Sequence, residues 1–108
     1  MVKFEDVYTK PFIKDPNGSY VWDSKNRMTF MCLTYNDLFI QELVDKLNDS
    51  SKTQYNASFK EGVIYIDNKP MLAVRGWGRL NAILKLSPEK AAKIQDDFCE
   101  WSVKKLRE

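Results

Sequence analysis

The chain has 108 residues, 44% of them hydrophobic, 13% aromatic and 30% charged, with a formal net charge of +2. That composition describes a folded globular chain of one-domain size, taken as residues 1–108, and does not suggest disorder. No apolar run approaches the roughly 20 residues of a membrane span, and the first ten residues carry Glu5 and Asp6 where a secretory leader would be apolar. The cytoplasm is the expected compartment, with no membrane partner.

Cys32 and Cys99 lie far apart, and the chain contains no histidine. Two buried, reduced thiols are expected in a cytosolic chain. A zinc site would have to combine two thiolates with carboxylates, so no metal is expected. Charge is unevenly spread: residues 1–54 hold seven Lys/Arg against eight Asp/Glu, and residues 55–108 hold ten against seven. Between positions 75 and 93, Arg75, Arg79, Lys85, Lys90 and Lys93 stand against the single acid Glu89. Such an excess fits either a solvated face or phosphate contacts.

Taken in chain order, "VKFEDVY" (2–8) is a candidate edge strand, and Pro16-Asn17-Gly18 marks a turn. "SYVWD" and "RMTFMCL" read as two strands joined through Ser24, Lys25 and Asn26, an antiparallel hairpin. In "NDLFIQELVDKLND", Ile40, Leu43, Val44 and Leu47 recur at helical spacing, with Asn36 or Asp37 as the cap. "YNASF", "VIYID" and "MLAVRGW" follow as strands, separated by Lys60-Glu61-Gly62 and by Asn68-Lys69-Pro70. Links this short require antiparallel neighbours, hence a meander. A last helix opens with Ser87 as N-cap and Pro88 in the first turn, and Ala91, Ala92, Ile94, Phe98, Cys99, Trp101 and Leu106 form its apolar side. Gln95 and Ser102 sit within that side and need hydrogen-bond partners.

The predicted order is β-β-α-β-β-β-α, with one further strand at the front as an option. This is an α+β domain in which an antiparallel sheet, built from the N-terminal hairpin and the three-strand meander, is packed by two helices. Strand alternation puts Leu72, Val74, Ile64 and Ile66 on the helix side. Absent a bulge, Val63, Tyr65, Met71, Ala73, Arg75 and Trp77 face the other way, towards solvent or beneath the N-terminal hairpin. Two uses of Trp77 follow. Either it packs under the hairpin against Trp22 and Phe30, with Gly76 and Gly78 letting the strand bend, or Tyr65, Arg75, Trp77 and Arg79 form an exposed cationic-aromatic patch of the kind that dominates binding surfaces. Tyr20 and Trp22 would make a second, smaller patch.

Catalytic signatures are missing. "GWG" lacks the third glycine and the following helix of a dinucleotide fingerprint, and no P-loop is present. Asp96 and Asp97 fall on the charged helix side, Asp15, Asp23 and Asp67 lie in or beside turns, and neither cysteine has an electropositive setting. No enzyme activity and no cofactor are expected; a carboxylate-based hydrolase is the remaining enzymatic alternative.

From residue 37 onward, the order helix, three-strand meander, helix resembles the double-stranded-RNA-binding domain over roughly 70 residues. That resemblance implies phosphate contacts from a basic cluster opening the last helix. Here "SPEKAAKI" supplies Lys90 and Lys93, without adjacent lysines and with Glu89 among them. The expected function is therefore binding of another protein through an aromatic-basic sheet patch, the alternative being nucleic-acid binding through Arg75, Arg79, Lys85, Lys90 and Lys93. Tyr65, Arg75, Trp77, Arg79, Lys85, Lys90 and Lys93 are the candidate contact residues, and a homodimer through an uncovered sheet face is a further alternative.

Overall fold

The structure is a computed structural model that describes residues 8–75 and 85–108. Its elements are β1 (Ile13–Lys14), β2 (Tyr20–Trp22), β3 (Met28–Cys32), α1 (Asp37–Leu47), β4 (Ala57–Lys60), β5 (Val63–Ile66), β6 (Lys69–Val74) and α2 (Pro88–Arg107). The strands form one antiparallel sheet in the order β1-β2-β3-β6-β5-β4, giving the expected α+β class.

The meander β4-β5-β6 is set by two tight turns. Glu61 and Gly62 have φ of 52° and 77°, and Asp67 and Asn68 have 51° and 67°. Positive φ at both central residues is the mark of type I′ turns, whose twist matches the flanking strands. The second turn therefore falls earlier than the sequence suggested, and Lys69 and Pro70 belong to β6. Pro70 has no N–H to give the ladder, and the register slips there: Ile64 pairs with Leu72, but Tyr65 pairs with Pro70. Met71 is the extra residue of a bulge. It packs against the buried cluster, so the expectation that it shares the face of Ala73 is corrected.

Both helices form where expected. Asn36 caps α1, its side-chain oxygen accepting from the Phe39 N–H at 3.1 Å, and Ile40, Leu43, Val44 and Leu47 are sealed from solvent. Ser87 caps α2 by accepting from the Lys90 N–H at 3.2 Å. The buried side of α2 is Ala91, Ile94, Phe98, Cys99, Ser102, Val103 and Leu106. Ala92 is exposed, a correction, and Val103 is buried in its place on the apolar side. Ser102 meets its need locally, donating to the Phe98 carbonyl at 2.8 Å. Both helices cover the sheet face that carries Phe30, Ile64, Ile66, Leu72 and Val74, and the Phe30 and Phe98 rings stack with centroids 5.1 Å apart.

The N-terminal part departs most from expectation. The added strand is β1, pairing Ile13 with Trp22 and Lys14 with Val21; of the "VKFEDVY" segment, residues 2–7 lie outside the described residues. The nearly buried Lys14 ammonium donates to the Asp15 and Gly18 carbonyls, both at 2.8 Å, and pairs with Asp37 at 3.2 Å. The hairpin β2-β3 does not lie over the sheet. It extends the sheet beside β6, through Phe30–Val74, Met31–Ala73 and Cys32–Leu72. Phe30 therefore points into the helix layer and is no partner for a ring on the opposite face.

Candidate functional site

Because the hairpin joins the sheet edge to edge, one row of side chains crosses five strands on the face turned away from the helices. The registers run Lys60–Val63, Val63–Ala73, Ala73–Met31 and Met31–Tyr20. Trp22 and Met28 pair on one flank of this row, and Tyr65 and Ser58 on the other. Tyr20, Trp22, Met28, Met31, Val63 and Tyr65 are all half-buried. Ala73, paired with Met31 on one side and Val63 on the other, is 0% exposed. The Tyr20 and Trp22 rings meet at 6.1 Å and 57°. Aromatic rings offer large contact area with a polar tip, and thioethers re-pack readily against irregular partners.

The candidate residues do not share one place. Tyr65 lies on this outward face, and the exposed Arg75 follows buried Val74 at the end of β6, its guanidinium donating to the Val74 carbonyl at 3.0 Å. The Tyr8 hydroxyl donates to the Arg75 carbonyl at 3.2 Å. Lys85 is exposed with φ 53°, in the turn that precedes α2. Lys90 and Lys93 are exposed on α2, Lys93 opposite the buried stripe and Lys90 at its margin, and α2 packs on the sheet face opposite to that of Tyr65. Lys93 pairs with Asp97 at 3.7 Å. Trp77 and Arg79, with Gly76 and Gly78, lie outside the described residues.

Titratable groups serve the fold. Asp23 is 1% exposed and accepts from the Thr9, Lys25 and Arg27 backbone N–H groups and from the Arg27 guanidinium at 2.8–3.1 Å. Burial alone would raise its pKa; the hydrogen bonds from Arg27 and Thr9 outweigh that and hold it below the usual carboxylate range. Burial pushes the Cys99 thiol up to about 12, and it also raises Cys32, against the opposing pull of the Lys14 ammonium. No group of three or more His, Cys, Asp or Glu gathers in metal-binding geometry among the described residues. Among those residues, no helix is long and apolar enough to cross a membrane.

Exposed apolar side chains also occur outside the predicted set. Tyr35 is 99% exposed, Leu38 82%, Ile13 54% and Leu33 38%. The signal for Leu38 is in the sequence, since it falls off the Ile40-Leu43-Val44-Leu47 stripe; Ile13 becomes visible only once β1 is placed. No family model matches the chain, no curated protein is significantly similar to it, and no solved structure matches it.

Proposed function

We propose that this chain is a protein-binding module whose contact surface is the outward sheet face, with Arg75 at its β6 end. The observation that carries the proposal is the row of half-buried Tyr20, Met31 and Val63 around buried Ala73, flanked by Trp22, Met28 and Tyr65, on a face that neither helix covers. Contiguous apolar surface of this kind, rich in aromatic side chains and methionine, is costly to leave in water and typical of contact sites. Charge favours protein over nucleic acid as the partner. Lys90 and Lys93 share their helix with Glu89, Asp96 and Asp97, which dilutes the positive potential a phosphate backbone requires.

The test uses Met31→Lys, which places a charge in the middle of the row and leaves the helix side untouched. A partner retained by the wild-type chain, identified and then purified, should bind the wild type and fail to bind Met31→Lys, while circular dichroism and thermal melting of the variant stay close to wild type. Equal binding of both proteins, or unfolding of the variant, ends the proposal. A labelled RNA duplex at low salt tests the alternative: tight binding that falls steeply with salt, and that Lys90→Ala with Lys93→Ala weakens, would favour nucleic acid instead.

A further inference from the structure

The outer edge of the sheet, formed by β4, is separate from the outward face. Among the described residues β4 pairs with β5 alone, so alternate backbone groups of β4 point away from the sheet. Their phase is fixed by one bond: the Asp67 N–H donates to the Asn56 carbonyl at 3.0 Å. Antiparallel ladders alternate between bonded and unbonded pairs, so Asn56, Ser58 and Lys60 bond inward, and Ala57 and Phe59 aim their N–H and C=O groups outward. The Ala57 carbonyl confirms this phase, since it is held from outside by the Arg107 guanidinium Nε at 2.7 Å. Among the described residues, the Phe59 N–H and C=O then face outward from the edge with no hydrogen-bond partner.

Beside this edge runs a groove of about 570 Å³ between β4 and α2. Phe59 and Val103 give it an apolar floor, and Lys104 and Arg107 stand along its wall. The helix runs antiparallel to β4, because Arg107 meets Ala57 while Gln95 lies against Gly62 at the far end of the strand. The groove is therefore apolar opposite Phe59 and basic towards Ala57. Of the two acids that line it, Glu108 pairs with Lys105 at 3.8 Å, and Glu100 lies towards the Gly62 end.

We propose that this groove binds an extended peptide segment of another protein as an added strand along β4. The peptide bonds its backbone to the N–H and C=O of Phe59, sets an apolar side chain on Phe59 and Val103, and offers a carboxylate, two residues along on the same face, to Lys104 and Arg107. Strand addition gains affinity from main-chain bonds and specificity from alternate side chains. Charge complementarity selects an acidic peptide: Arg107 uses only Nε on Ala57, which leaves its two terminal nitrogens for a carboxylate fork.

The probe is the fluorescent peptide TVTETVT, whose valines and glutamate share one face, with TVTKTVT as its charge-reversed control. The wild-type chain should raise the anisotropy of the glutamate peptide saturably and should shift the Phe59 amide resonance. The lysine peptide should bind at least about fivefold more weakly, the order expected when one exposed charge pair turns repulsive. Lys104→Glu should weaken the glutamate peptide similarly and improve the lysine peptide, and Met31→Lys should leave both unchanged. The proposal is overturned by an absence of binding up to about 1 mM peptide, by equal binding of the two peptides, or by an unshifted Phe59 amide. The peptide charge swap alters nothing in the protein, so it decides the matter even if Lys104→Glu fails to fold.

Discussion

Asp23 ties the Thr9 backbone, the turn after β2 and Arg27 to a single sealed carboxylate. Asp23→Asn keeps the shape but removes the charge that Arg27 pairs with, and should cost about 2–4 kcal/mol by urea unfolding at neutral pH. The folded-state pKa of Asp23 is depressed, so its contribution is present above the unfolded value of roughly 4 and vanishes as pH falls through the lower folded value. Wild type should lose more stability than Asp23→Asn over that acid range, and parallel curves would show that the charge contributes nothing. The thiols give a second residue-scale expectation. With Cys99 sealed and its pKa near 12, alkylation at pH 8 should track unfolding, whereas half-buried Cys32 should react faster in the native state.

At the scale of elements, Gly62 shows why a turn and a helix must be read together. Its φ of +77° suits glycine, and the Gln95 amide occupies the space that a Cβ would need. Gly62→Ala should destabilise by about 1–3 kcal/mol, measured by thermal melting, and Gln95→Ala should recover the steric part without the φ part. Helix caps, apolar stripes and the meander were legible in the sequence because each is written locally: Asn36 and Ser87 precede their stripes, and the short Gly- and Asn-bearing links admit only antiparallel neighbours. The bulge at Met71 was not legible. It arises from Pro70 meeting Tyr65 across the ladder, a condition that exists only once the register is set. The same holds for β1, two residues whose strand character comes from pairing with Val21 and Trp22.

The whole molecule shows where the candidate site was only half legible. Parity placed Tyr65 and Ala73 correctly on the outward face, but nothing local says that β3 pairs with β6 rather than folding over it. That long-range choice adds Tyr20, Trp22, Met28 and Met31 to the face. Phe98 is the hinge of the helix layer, stacked on Phe30 and touching Tyr8, Phe12 and Trp101. Phe98→Ala should cost about 3–5 kcal/mol in denaturant unfolding and loosen both halves of the sheet at once.

The seam between β3 and β6 joins Cys32 to Leu72 and Phe30 to Val74, with α1 and two strands of chain between them. On the ribosome, the first hairpin emerges some 40 residues before the strand that will receive it, a wait of roughly 2–8 s at ordinary elongation rates. For that interval a nascent chain displays Phe30 and the bare backbone of β3 together, so chains arrested before residue 72 should be held by chaperones or aggregate, and chains released beyond α2 should not.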